Sequence, residues 1–401
     1  MRSCSALVAL LAACRAPAPA ALPAPPSAPI VLAAPPSAAP AGLPGTVGGI
    51  EHPEALTSYF EALAALEAKR REGDVRVAVL GDSHIAADWE TGPMRRLLQE
   101  RFGDGGRGFV PLGRPWKVWS QEGVLTGTSG TWLTRMHKHG EGPFGLTGFA
   151  LESREAGSRA WTHVLTASTA GELAYLEQPG GGSFDLLVDN VRSARITTRA
   201  DAPRSVFHAF PLAGSSSKHL LEVRPVGDGN VRIFGVALDR VDTKGLVLDA
   251  LGLNGSRVAT ALSWSEDAWA EDLGHRAPAL VVVAYGTNDA VDYETPVETF
   301  EKGFAEELAR IGRIVPSASC LVVGPPDRTN APRLAAVVAA ERRAAANGHC
   351  AYFDRITAMG GSGSILRWGQ PDRVHLSREG YARVAAALVG DLLKAYDLWK
   401  R

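Results

Sequence analysis

The stretch VAVLGDSHIAAD, residues 77–88, decides how the rest of the chain is read. Apolar residues run into a glycine and then into an acid, a hydroxyl and an imidazole side by side, the pattern of a buried strand that ends in polar groups. Two meanings are open. Gly81 can turn the chain while Asp82 or Ser83 caps a helix that starts near Trp89, or Ser83 is a nucleophile held at the carboxyl end of a strand.

Outward from this stretch the pattern repeats. VRVAVLGD (75–82), GLVLDALGLNG (245–255), ALVVVAYGTND (279–289) and CLVVGPPD (320–327) are continuous Val, Leu and Ile runs, with a shorter CAYFD at 350–354. Such runs mark strands covered on both faces, as in parallel sheets. Segments 89–102, 257–273, 296–313, 331–347 and 377–397 carry helical spacing between them, and the βαβα alternation predicts an α/β fold with an open, doubly wound parallel sheet. Ligands of such sheets bind outside the carboxyl ends of the strands, and GDSH, LNG, YGTND and GPPD all fall there.

The alternation stops between about 120 and 244. Short period-2 stretches such as HVLTAST, GELAYLEQ, SFDLLVDN, ARITTRA and SVFHAFPL follow one another, divided by Gly, Pro and Asn. This predicts an inserted all-β sandwich domain over 121–244, splitting the parallel sheet into 48–120 and 245–401. Trp161, Tyr175 and Phe184 of this segment either stack on sugars or fill its core.

A serine hydroxyl attacks only when a base takes its proton, a third group orients the base, and donors await the oxyanion. QPDRVHLSREGY, near the C-terminus, supplies Asp372 three residues before His375, in front of a helix. On a tight loop the carboxylate reaches Nδ1 and leaves Nε2 for the serine. Asp82 and His84 are read as shaping the turn around Ser83, and Asp289 as capping the next turn or holding the Asn288 loop.

The set GDSH, NG, GTND and DxxH, in this order, resembles the SGNH/GDSL hydrolase superfamily over residues 74–120 and 245–400. The resemblance implies a flavodoxin-like strand arrangement, with Ser83 as nucleophile, His375 as general base and then acid, and Asp372 as the orienting carboxylate. It also implies an oxyanion hole made by the backbone N–H of Ser83, the backbone N–H of Gly255 and the side-chain amide of Asn288, without any cofactor. A glycine at 255 suits that role, because no Cβ stands between its backbone and a reacting carbonyl. Within the superfamily, GDSH in place of GDSL is reminiscent of enzymes that remove O-acetyl groups from peptidoglycan and related glycans. GDGGRGFVPLGRPW (103–116), GLNGSR and the β insertion are similar to segments of the same enzymes, and the glycines of the first are read as letting a loop skirt a bulky glycan.

A net charge of −1 over 401 residues offers no basic stripe for a nucleic acid. The lone His137-x-His139 pair has no further ligand spacing, so no metal site is expected. MRSCSALVALLAACRAPAPA begins with an apolar run far too short to span a bilayer, has the layout of a secretory leader, and its Leu11-Ala12-Ala13-Cys14 resembles a bacterial lipobox. Cys14 is therefore the expected lipid anchor, after a leader over 1–14 and before a Pro/Ala-rich spacer over 15–47. Cys320 and Cys350 remain, either as a disulfide, worth roughly 3 to 4 kcal/mol for a loop of this length, or as two buried thiols.

Together these readings lead to an exported, lipid-anchored serine esterase that removes acyl groups, above all acetyl, from an envelope or extracellular polysaccharide. Its partners would be an acetylated glycan and a membrane reached through the anchor alone. Three alternatives stay open: a polysaccharide O-acetyltransferase, a lipase or lysophospholipase, and a non-catalytic glycan-binding lipoprotein.

Overall fold

The computed structural model describes residues 43–117, 119–136, 142–213 and 218–401. Cys14, the leader, most of the spacer and the His137/His139 pair lie outside them. Five parallel strands, Val75–Gly81, Leu246–Gly252, Leu280–Ala284, Ser319–Val323 and Ala351–Phe353, form the centre of the molecule. Numbered along the chain, they lie in the order 2-1-3-4-5. The first strand thus sits where the winding reverses, with the second on one side and the third on the other, and this switch point is where doubly wound sheets open a crevice.

Alternate side chains of these strands feed two separate cores, which is why the runs are apolar at every position. Val77, Val79, Leu248 and Val282 pack toward helices Thr57–Glu67, Thr91–Phe102 and Arg378–Trp399, through Phe60, Leu98 and Leu388. Leu80, Leu251, Val281 and Val283 pack on the other face toward helices Glu266–Arg276, Val297–Ile314 and Leu334–Asn347, through Trp269, Phe304 and Val337. The segment expected as one helix over 257–273 is two, Val258–Leu262 and Glu266–Arg276, because Ser265 starts the second by accepting the N–H of Ala268.

The folded part begins earlier than residue 48. Thr46–Val47 and Ile50–Glu51 form a hairpin around Gly48, whose φ is +60°, and the second strand pairs antiparallel with Tyr352–Phe353 at the sheet edge. Asp391 secures the turn by accepting the N–H of Gly49 at 2.7 Å. Between neighbouring parallel strands Cys320 and Cys350 form a disulfide, with Cα atoms 4.7 Å apart.

Two antiparallel sheets occupy the interruption. One runs Val191–Thr197, Ser183–Val188, His219–Pro225, Arg159–Val164 and Val124–Ser129. The other runs Arg204–Pro211, Ala170–Glu177, Val231–Asp239, Phe149–Ser153 and Leu133–Met136. Leu173, Leu186, Leu221 and Val236 meet between them in a core of their own. Tyr175 and Phe184 belong to that core, ring edge to ring face at 5.6 Å, which removes both as sugar-stacking surfaces, while Trp161 is half-buried.

Antiparallel pairing starts before residue 121. Gly106–Val110 joins Val231–Asp239, and Phe109, Phe149 and Phe234 enter the same core as Leu80 and Val283, so the antiparallel layers and the parallel sheet pack as one compact unit. The glycines of GDGGRG allow close backbone packing and do not line an open loop. Gly108 has φ +82°, and a Cβ there would fall 2.6 Å from the Leu248 carbonyl oxygen. Among the described residues no helix is long and apolar enough to cross a membrane.

Arg107, from the middle of this run, is buried against Asp88, the last residue of the stretch that opens the reading. Asp88 accepts from Arg95 at 2.8 Å, Arg107 at 2.8 Å and the N–H of Glu122 at 3.1 Å. Burial pushes its carboxyl up, but the two guanidinium groups outweigh burial and hold it at about 2. Asp88→Asn leaves two buried cations without their counter-charge and is expected to cost about 3 to 5 kcal/mol at neutral pH. Because the folded-state value is depressed, the wild-type advantage is complete above the ordinary carboxylate range and is lost as pH falls toward about 2. Urea unfolding of both proteins should show the gap narrowing by about 2 to 3 kcal/mol over that interval, and a gap independent of pH would contradict the assignment.

Candidate active site

At the end of the first strand space is tight. A Cβ on Gly81 would lie 2.8 Å from the Ala284 carbonyl oxygen, so glycine lets the chain leave the sheet beside the third strand. Asp82 then caps the short helix Ser83–Ala86, its Oδ1 accepting the N–H of His84 at 2.9 Å. Ser83 is the first residue of that helix, where backbone N–H groups have no intrahelical acceptor. Both meanings of GDSH therefore hold at once: Asp82 caps, and Ser83 is presented.

The loop before the last helix is built by Asp372. Its Oδ1 accepts the N–H groups of Val374 and His375 at 2.9 and 3.0 Å, while Oδ2 faces His375 Nδ1 at 2.7 Å. Arg373 takes φ +57° to make the turn, and Ser377 caps the Arg378–Trp399 helix. His375 Nε2 lies 2.8 Å from Ser83 Oγ, across 292 residues of sequence. With Nδ1–H donating to the Asp372 carboxylate, Nε2 is left to accept from the serine hydroxyl. Burial raises the Asp372 carboxyl, but the hydrogen bonds from the imidazole and the two backbone N–H groups prevail and hold it below the usual carboxylate range.

The other two predicted residues follow the neighbouring second and third strands. Gly255 has φ +76° in the exposed turn that follows the second strand, closed by Ser256 N–H donating to the Leu253 carbonyl at 3.1 Å. Asn288 follows the third strand, and its Nδ2 donates to the Ser256 carbonyl at 2.9 Å and faces Asp82 Oδ2 at 3.4 Å. The short bond fixes the amide, and the long one leaves its second N–H weakly held.

Beneath this surface lies a polar layer that sequence reasoning missed. His84 is fully buried, its Nδ1 is 2.8 Å from Tyr381 Oη, and its ring lies 5.2 Å from that of His375. Burial first, then Arg355 and His375, drive its pKa well below the ordinary histidine value, so it is neutral. Arg355 pairs with Glu90 at 3.1 Å, both buried. Asp289 opens a single 3₁₀ turn and receives the backbone N–H of Val258, and burial raises its carboxyl to about 7. The only signal for Tyr381 and Arg355 was that the first closes the stretch QPDRVHLSREGY and the second follows CAYFD. Among the described residues no group of three or more His, Cys, Asp or Glu is placed to hold a metal ion.

Residues 226–383 match the family model of the GDSL-like lipase/acylhydrolase family. The matched segment contains Gly255, Asn288, Asp372 and His375, whereas Ser83 lies upstream of it, beyond the antiparallel sheets. No curated protein matches the chain. Among solved structures, a peptidoglycan O-acetylesterase superposes with a TM-score of 0.72 at 22% identity, over 85% of this chain and 96% of that one. That overlap is too long to be confined to the parallel sheet, so the antiparallel layers are part of the shared fold. A lipase/acylhydrolase from Enterococcus faecalis is 21% identical over 36% of this chain and 75% of its own, with a TM-score of 0.31. A family two carbohydrate esterase from Clostridium thermocellum is 12% identical over 66% of this chain and 98% of its own, with a TM-score of 0.29.

Proposed function

We propose, from the premise that the chain carries a GDSL-like lipase/acylhydrolase domain, that it is a serine esterase removing O-acetyl groups from a cell-envelope or extracellular polysaccharide such as peptidoglycan. The observation that carries this is the hydrogen-bonded line Ser83–His375–Asp372 at the switch point of the sheet, with the Asn288 amide and the Gly255 turn at the neighbouring strand ends.

Ser83 Oγ attacks the acyl carbonyl while His375 Nε2 takes its proton. The carbonyl oxygen gains negative charge and receives the N–H groups of Ser83 and Gly255 and the weakly held N–H of Asn288. Collapse expels the sugar oxygen, which takes the proton back from His375, and leaves acetyl-Ser83. Water then attacks the acetyl carbonyl, gives a proton to His375, and acetate departs as Ser83 regains its hydrogen. Asp372 holds the imidazole in the tautomer that both halves need.

Several features support an ester carried on a polymer. Ser83 and His375 are partly exposed and Asp372 and Gly255 are exposed, so a wide chain can lie across them. The fold shared with a peptidoglycan O-acetylesterase favours a glycan ester. Export and a lipid anchor at Cys14 are part of the same proposal, with the Pro/Ala-rich segment as a spacer above a membrane.

The test is acetate release from O-acetylated peptidoglycan and from acetylated xylan, with Ser83→Ala beside the wild type. Release by the wild type alone is expected. A wild type that hydrolyses an activated acetate ester but frees no acetate from any acetylated glycan would refute the polysaccharide substrate. Asn288→Ala is expected to lower kcat by about 10²- to 10³-fold with little change in KM, the cost of one oxyanion donor. A loss confined to KM would show that Asn288 binds the ground state instead.

A further inference from the structure

Arg328 follows the fourth strand, in the loop GPPDRTN, and stands between the two halves of the site. Its Nη1 donates to the carbonyl of Thr287, next to Asn288, at 2.9 Å. Its neighbour Thr329 donates its N–H to the carbonyl of Arg373, next to Asp372, at 3.3 Å. The guanidinium is half-buried and has no carboxylate partner among the described residues, although Asp82 and Asp372 are close enough to act on its charge. Nε is sealed without a partner, whereas Nη2 makes no hydrogen bond and is not sealed from solvent. Burial pulls the Arg328 pKa down, so the site holds a partly desolvated cation with Nη2 left open.

Beside it stands an exposed aromatic ring. Tyr293 is 63% exposed, and its Oη reaches the carbonyl of Asn330, two residues beyond Arg328, at 3.5 Å. The loop that carries it is clamped from both sides. Arg257 pairs with Asp292 at 2.8 Å, Thr295 Oγ1 donates to the same carboxylate at 2.7 Å, and Arg333 donates to the carbonyls of Asp292 and Thr295. An exposed tyrosine on a braced loop loses little freedom when a ligand covers it.

Resting on the esterase reading, we propose that Tyr293 and Arg328 form a substrate subsite for an acidic sugar unit, the tyrosine ring lying against the sugar and Arg328 Nη2 donating to a carboxylate carried near the scissile ester. The substrate class is thereby an O-acetylated glycan bearing carboxylates, favoured over a neutral one. A partly desolvated guanidinium gains more from a carboxylate than an exposed one does, because less water is displaced and the local dielectric is lower.

The experiment compares kcat/KM on O-acetylated oligogalacturonides, on acetylated xylo-oligosaccharides and on 4-nitrophenyl acetate, for wild type, Arg328→Gln, Arg328→Lys and Tyr293→Ala. The wild type should prefer the acidic glycan, and added salt should weaken that preference. Arg328→Gln should lower the acidic-to-neutral ratio by about 10- to 100-fold, chiefly through KM, the value of one charge-assisted hydrogen bond in a partly dry site. Arg328→Lys should recover part of the ratio, and Tyr293→Ala should weaken both glycans relative to 4-nitrophenyl acetate. A wild-type ratio near one, or a ratio that Arg328→Gln leaves unaltered, overturns the subsite while activity on 4-nitrophenyl acetate upholds the esterase. Absence of turnover on all three by the wild type overturns the esterase reading itself.

Discussion

Ser83→Ala is expected to lower kcat for ester hydrolysis by about 10⁴- to 10⁶-fold, because it removes the atom that forms the acyl intermediate. The fold should survive, since the hydroxyl makes one hydrogen bond, to His375, from a half-buried position. Its loss changes stability by about 1 kcal/mol at most. Thermal unfolding and steady-state kinetics on the same sample check both statements. A variant that melts with the wild type and retains a tenth of its activity would place the nucleophile elsewhere.

Asp372→Asn should cost about 10⁴-fold in kcat, for a reason specific to this loop. Asn Oδ1 can still accept the N–H groups of Val374 and His375, so the turn keeps its shape. The amide nitrogen then faces the imidazole where a carboxylate oxygen stood, and it donates to Nδ1. The proton moves to Nε2, which can no longer accept from Ser83. KM should change little, because the turn keeps its shape and the surface offered to the glycan is unaltered. Large effects on KM with kcat preserved would assign Asp372 to binding.

Much of this was legible in the sequence because parallel strands covered on both faces have a simple signature. Val75–Gly81, Leu246–Gly252 and Leu280–Ala284 lie inside the runs marked by unbroken Val, Leu and Ile, and GDSH, LNG and GTND stand at their carboxyl ends. DRVH was readable as a unit because one loop holds acid and base three residues apart. What stayed hidden depends on contacts between distant segments. Periodicity shows which face of a strand is apolar, and says nothing of which strand lies next to it. Hence Arg107 looked like part of a glycine-rich loop, although it is the buried counter-charge of Asp88.

The same limit explains the remaining differences. Phe109, Phe149 and Phe234 come from three separate stretches of sequence, and their packing on Leu80 and Val283 merges the antiparallel layers with the parallel sheet. Thr46–Val47 is too short to rise above its Pro/Ala-rich surroundings, and it becomes a strand because Ile50–Glu51 pairs at the sheet edge. His84 is a turn residue in sequence. Tyr381, from a helix nearly three hundred positions away, shares a hydrogen bond with it in the layer behind His375.

The most direct measurement is covalent trapping of the nucleophile. Purified protein is treated with a phosphonofluoridate, a reagent that captures activated serines, and the adduct is located by peptide mass mapping. One adduct on the peptide containing Ser83, absent from Ser83→Ala and formed far more slowly in Asp372→Asn, is the result expected. Ester turnover by a protein that takes no adduct, or takes it on another residue, would contradict the account at its centre.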